Sequence, residues 1–192
     1  MSLFSAAKRG EFSELIQAIN ESDPPLTRER LDRTLMDAVG DKEPARRRQK
    51  VEFLLERGAH GNASTPSGVN ALHALFGKLR RLLDFREDGP LVARLIAEGA
   101  DLNQRDPKWG TPLKMLWDMV ISEEELTEVY DAVFSTPGLN FGCAVNRKGT
   151  PRVSLMEQVR SRQQPAEGGV PYHPEFARRM EDYLGQAHVP GR

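Results

Sequence analysis

Two stretches of the chain echo one another: VEFLLERGA at Val51–Ala59 and VARLIAEGA at Val92–Ala100. Each carries an apolar stripe at helical spacing, Val51, Leu54 and Leu55 in the first and Leu91, Val92, Leu95 and Ile96 around the second. Such a stripe predicts an amphipathic helix, and Gly58 stands where a left-handed cap would end it. A polar stretch then separates each phrase from another helix start, at Asn70–Ala74 and at Thr111–Lys114. Thr111-Pro112 suits such a start, because the hydroxyl can cap and proline is tolerated in the first turn. Leu72 and Leu113 lie 41 residues apart, and so do Ala59 and Ala100. Two landmarks sharing one offset imply a repeated unit. A single helix pair cannot bury its apolar face alone, so neighbours must stack upon it.

The stretch Leu95–Leu113, LIAEGADLNQRDPKWGTPL, resembles the ankyrin repeat, whose pattern runs turn, Thr-Pro-Leu-His, short helix, Gly, second helix with Leu-Leu, then Gly-Ala-Asp-Val-Asn. Asn70–His73 keeps the Leu-His half of the same motif, and Gly149-Thr150-Pro151 opens a further copy. Leu3–Gly10 followed by Leu15–Ile19 reads as an amino-terminal unit without its turn, and Leu31–Val39 as the first helix of the next. The resemblance implies an all-α, ankyrin-type solenoid of stacked helix-turn-helix repeats with a concave face. It would form one domain over 1–192, in units of about 1–24, 25–64, 65–105, 106–145 and 146–192. The 41-residue spacing exceeds the roughly 33 residues of that family, so extra length is expected in the third unit at Lys78–Pro90. The resemblance also implies that His73 ties neighbouring turns together by hydrogen bonding. Trp117 occupies the motif's small, helix-packing position and is expected in the core.

Residues 163–174 hold three prolines and two glycines and read as a loop or linker. Beyond them Phe176, Met180, Tyr183 and Leu184 recur at helical spacing, giving either a capping helix or a detachable, partner-binding tail.

No stretch reaches the roughly 18 to 20 apolar residues of a membrane span. Met1–Gly10 lacks the basic start and apolar run of a signal peptide. Cys143 is the one cysteine, which precludes an internal disulfide and agrees with a reducing cytosol. A net charge of −1 supplies no global field for polyanions. The basic runs Arg46-Arg47-Arg48 with Lys50, and Lys78 with Arg80 and Arg81, are diluted by Asp41, Glu43, Glu52, Glu56, Asp84, Glu87 and Asp88. They are read as solvated helix faces that an acidic protein could still contact, and nucleic acid is not expected.

Nothing in the chain assembles a catalytic or cofactor motif. His60 belongs to a turn, His173 and His188 to a loop and a tail, and no pair has zinc-ligand spacing. No Gly-rich phosphate loop follows a strand, and neither Ser67 nor Ser154 lies in a nucleophile elbow. Glu123-Glu124-Glu125 after Ser122 is accounted for as a capped helix start with negative charge at its amino end. No metal or cofactor is expected.

The expected function is therefore binding of a protein partner, such as a toxin or effector, by a cytoplasmic chain that is monomeric when free. An immunity-type inhibitor of a cognate bacterial toxin is one concrete form. Carried over from the ankyrin motif, the contact surface comprises Ser67, Val69, Lys78 and Arg81 in the third unit. Lys108, Trp109, Asp118 and Met119 follow in the fourth, and Arg147 and Lys148 in the fifth. Trp109 either anchors the partner or folds back over the adjacent turn. The rival readings are a self-associating scaffold and a hydrolase or transferase with a site in the array.

Overall fold

The computed structural model describes residues 1–78, 82–143, 153–164 and 169–187. It is all-α: ten helices, with two isolated antiparallel bridges, Ser64–Asn70 and Asp106–Gly110, as the β pairing among the described residues. In chain order the helices are α1 (Leu3–Lys8), α2 (Phe12–Asn20), α3 (Arg28–Val39), α4 (Pro44–Glu56), α5 (Ala71–Phe76), α6 (Phe85–Ala97), α7 (Pro112–Trp117), α8 (Thr127–Phe134), α9 (Leu155–Arg162) and α10 (Pro174–Ala187).

Local chemistry accounts for the boundaries. Hydroxyls of Ser2, Thr27, Thr111 and Ser154 accept backbone N–H groups at the starts of α1, α3, α7 and α9, and Asn70 and Asp84 do so for α5 and α6. Each satisfies one of the donors a helix start leaves orphaned. At the other end, Gly58 and Gly99 adopt φ of +94° and +93° just past α4 and α6, as the repeated Gly-Ala phrase anticipates. Pro90 lies inside α6 rather than in a loop, so the extra length expected at Lys78–Pro90 is shared between a connection and a helix opening at Phe85.

The helices associate in sequential hairpins. α1 packs on α2 and α3 on α4; then α1, α3, α5 and α7 form one row while α2, α4, α6, α8 and α10 form a second. Leu15, Leu35, Leu54, Leu72, Leu75, Leu91, Leu113 and Leu116 are fully buried along a continuous core. Ala6 and Ala7, also fully buried, let the first helix approach its neighbours closely.

The basic run of α4 corrects the expectation of a solvated face. Arg47 and Lys50 are completely buried. The Arg47 guanidinium donates to both Asp88 oxygens at 2.6 Å and to the Asp41 and Leu82 carbonyls at 2.7 and 3.0 Å. Lys50 Nζ lies 2.9, 2.9 and 2.6 Å from the carbonyls of Ala6, Ala7 and Gly10 and 2.7 Å from Asp41 Oδ2. One helix thus reaches α1 on one side and α6 on the other. Burial alone would raise the Asp41 carboxyl; hydrogen bonds from Arg46, Lys50 and the Glu43 amide outweigh it and hold it at about 2.

Aromatic packing closes the carboxy-terminal end. Trp117 is 1% exposed, with ring centroids of Tyr172, His173 and Phe176 at 5.0, 5.6 and 5.2 Å. Phe176 and Met180 of α10 are fully buried, and Tyr183 Oη donates to the Thr136 carbonyl while accepting from Leu139 N. The segment is a packed closing helix. Glu123 differs from its expected part: it accepts from the amides of Glu175 and Phe176 at 3.0 and 2.8 Å, capping α10 rather than its own helix, which opens at Thr127. His173 is likewise buried, at φ +47°, and its Nε2–H donates to the Met119 carbonyl at 2.7 Å.

The buried pair yields a stability test. Arg47→Met alone should cost about 3–5 kcal/mol, because Asp88 is left charged and unpaired in the interior. Adding Asp88→Leu should restore much of the loss. Urea denaturation of the two single variants and the double variant measures the coupling, which is absent if the two single losses sum to that of the double variant.

Candidate functional site

The two bridged turns are the exposed elements that the repeat singles out. In the first, Thr65 N donates to the Val69 carbonyl at 2.8 Å and Val69 N to Thr65 Oγ1 at 3.1 Å. In the second, Asp106 and Gly110 exchange backbone hydrogen bonds at 2.8 and 2.9 Å. The buried Asp106 carboxylate accepts from Lys108 N at 2.7 Å and Trp109 N at 2.8 Å. The Trp109 amide, then that of Lys108, holds the Asp106 carboxyl below the usual carboxylate range. Aspartate suits the position because its short side chain can satisfy amides two and three residues on.

Side chains stitch successive turns together. His73 Nε2–H donates to the Gly110 carbonyl at 3.1 Å, while Nδ1 accepts from Asn70 N at 3.2 Å. Burial pushes the His73 imidazole below its ordinary pKa, consistent with a neutral ring donating on one side and accepting on the other. Asn70 Nδ2 donates to the Asp101 carbonyl at 2.8 Å, and Asn103 joins the Gly138 carbonyl to the Asn140 amide at 2.9 and 2.8 Å. The two tips also touch directly. Gly68 has φ +95°, and a Cβ there would lie 2.6 Å from the Arg105 carbonyl oxygen. The result is a ledge of two turns held in fixed register.

On this ledge Ser67, Lys108 and Trp109 are exposed and Val69 is half-buried. Trp109 retains 43% of its surface in solvent, and Lys108 Nζ sits 4.7 Å from its ring centroid, within cation–π reach. The indole thus keeps a large exposed area beside the Lys108 ammonium. Asp118, exposed, caps α7 and pairs with Lys114.

Two expected contact residues lie elsewhere. Met119 is 7% exposed and belongs to the core, because the chain turns inward where α7 ends. Lys78 is half-buried and donates to the Asp41 carbonyl at 3.1 Å, beside Arg47 rather than on the ledge. Burial, then Arg47, pushes its ammonium down to about 8. Arg81, Arg147 and Lys148 lie outside the described residues. Sequence reasoning passed over Arg105, exposed at the base of the second tip, the stitching residues Asn70 and Asn103, and the internal bonding that buries Asp106. For Asp106 a signal existed: Asp-Pro-Lys-Trp-Gly is a turn composition.

Among the described residues no group of three or more His, Cys, Asp or Glu is arranged to hold a metal ion. No helix among them is long and apolar enough to cross a membrane. No family model matches the chain, and no curated protein matches it. It is similar in structure to a functionally unknown protein from Leptotrichia buccalis C-1013-b, solved by crystallography, with a TM-score of 0.72 and 20% identity over 99% of this chain and 96% of that one. That likeness bears on the fold alone.

Two measurements probe these placements. Gly58→Ala meets no atom within 4 Å, so it should cost only the left-handed penalty, about 1 kcal/mol. Gly68→Ala carries the same strain plus a backbone clash and should lower Tm clearly further; equal losses would mean the tips are not in contact. For Lys78, the folded value of about 8 against the ordinary 10.5 means the unfolded chain binds more protons between those limits, so its ionisation disfavours folding at neutral pH. Lys78→Met should stabilise the fold at pH 7 by about 1 kcal/mol after allowance for solvent screening, read as a higher urea midpoint. That gain should shrink towards pH 10.5.

Proposed function

We propose that the chain is a degenerate ankyrin-type array whose role is to bind another protein, acting in the cytosol as a monomer. Its contact surface is the row of turn tips together with the concave face of the first-row helices. An immunity-type inhibitor of a cognate toxin is the concrete form this reading takes. Sequentially nested hairpins, Pro112 in the first turn of α7 and the His73-to-Gly110 tie between turns support the family assignment.

The observation that carries the binding role is Trp109: a large indole left 43% exposed on a turn whose backbone is bonded internally through Asp106. Nothing in the turn's own stability requires a tryptophan there, and such residues anchor interfaces when a partner desolvates them. A specific complex would bury roughly 800 Å² on each side. Self-association is the second reading, favoured by Met1 and Phe4, which are 74% and 48% exposed at the amino-terminal end.

Affinity capture from the native source, followed by calorimetry with the protein recovered, tests the proposal. Trp109→Ala should weaken binding at least tenfold, about 1.4 kcal/mol, with helicity unchanged. Glu56→Ser, at an exposed residue of the second-row helix α4, should leave it unaltered. An unchanged affinity for Trp109→Ala would move the site off the ledge. A complex consisting only of this chain would favour the second reading.

A further inference from the structure

Charge at the two tips is one-sided. Residues 61–70 and 102–110 contain one carboxylate, Asp106, whose Oδ1 accepts from the Lys108 and Trp109 amides; Asp101, exposed just before the second turn, has its own Oδ1 accepting from the Asn103 amide. Arg105 and Lys108 are exposed on the same tip as Trp109, and neither is ion-paired to a described residue. Four helix arginines, Arg48, Arg94, Arg160 and Arg178, are by contrast each engaged by a glutamate of the chain itself. The whole chain carries 27 basic and 28 acidic residues, so the positive tip is a local arrangement rather than a reflection of net charge.

We propose that the ledge recognises an acidic segment of its partner, whose carboxylates meet Arg105 and Lys108 on either side of an apolar side chain seated on Trp109. This rests on the protein-binding reading above and adds the chemistry of the partner to it. Three features make the surface selective. The tip is rigid, because Asp106 and the bridge to Gly110 fix its backbone and Gly68 wedges it against the neighbouring turn. Little ordering is then left to occur on binding. The Lys108 ammonium above the indole pre-positions cation and ring as one unit. A basic partner would desolvate two unpaired like charges and be rejected, so complementarity sets the choice of partner as well as the rate of encounter.

The test uses the full chain and three matched, fluorescein-labelled twelve-residue peptides, each with a central Leu-Leu flanked by Glu, by Ser or by Lys. Anisotropy at about 50 mM salt, where surface charges are weakly screened, should detect binding of the Glu peptide at least tenfold tighter than the other two. The affinity should fall tenfold or more in Arg105→Glu/Lys108→Glu and in Trp109→Ala, and should weaken with added salt. Lys42→Glu, an exposed cation between α3 and α4, should change it little. Equal binding of the Glu and Ser peptides, preference for the Lys peptide, no binding of the Glu peptide below about 1 mM, or indifference to the double reversal overturns the proposal. A native partner weakened by Trp109→Ala but not by the double reversal would overturn the acidic assignment while leaving the binding role intact. A partner indifferent to both would remove both.

Discussion

Arg47 and Lys50 enter the interior one helical turn apart, and the first three hairpins meet at the contacts they make. Withdrawing either charge from water carries a penalty of several kcal/mol, which only complete pairing and hydrogen bonding offset. Both conditions are met. Arg47 satisfies Asp88 and two carbonyls, and Lys50 is ringed by three carbonyls at the end of α1 and by Asp41. A cation at a helix carboxy terminus also meets the negative end of that helix's dipole. The seam is specific in a way that leucines are not: shifting α4 by one residue would orphan two ions at once. Its main consequence is register between hairpins, with net stability a lesser matter.

The same logic, with neutral groups, governs the turns. Hairpins stacked through apolar faces could slide or rotate slightly at little cost, since burial is non-directional. His73, Asn70 and Asn103 remove that freedom, because each reaches from its own unit to a backbone group of the next. The carboxy-terminal end uses a third device. There Glu123 caps α10 across the hairpin and Phe176 enters a cluster with Trp117, Tyr130, Phe134 and Phe141, so the array is closed by aromatic contacts.

What could be read in the chain beforehand followed from period and punctuation. The 41-residue echo, the Gly58 and Gly99 stops and the Thr111-Pro112 start all stem from local geometry or from a stripe visible over a few residues, while the burial of Trp117 was implied by the repeat motif. The misreadings share one cause, that partners distant in sequence decide the fate of a polar group. Arg47 and Lys50 stand three residues apart with Val51 and Leu54 one turn further on, so they occupy the apolar stripe; with no sight of Asp88 or the α1 carbonyls, a solvated face was the economical reading. The sequence points Lys78 outward for the same reason, and gives Glu123 to its own helix because α10 lies more than fifty residues away. Met119 differs in kind: two residues past the end of α7 the helical period no longer applies, and a turn carries the side chain inward. On the ledge, Trp109 was legible as an anomaly, whereas the positive character of its surroundings required knowing that Asp106 is consumed by its own turn.

Separation of stability from display follows from these arrangements. The polar seam, the aromatic closure and the stitched turns use side chains that are buried or bonded to backbone, and Asp106 completes the tip without help from Lys108 or Trp109 side chains. Arg105, Lys108 and Trp109 can therefore vary without loosening the fold, while the units behind them hold their positions to within the tolerance of a packed core. On the proposed binding role, a change of partner needs only a few exposed residues to change. The array's units can also drift far from a consensus sequence so long as each still covers its neighbour's apolar face and reaches the next turn's backbone.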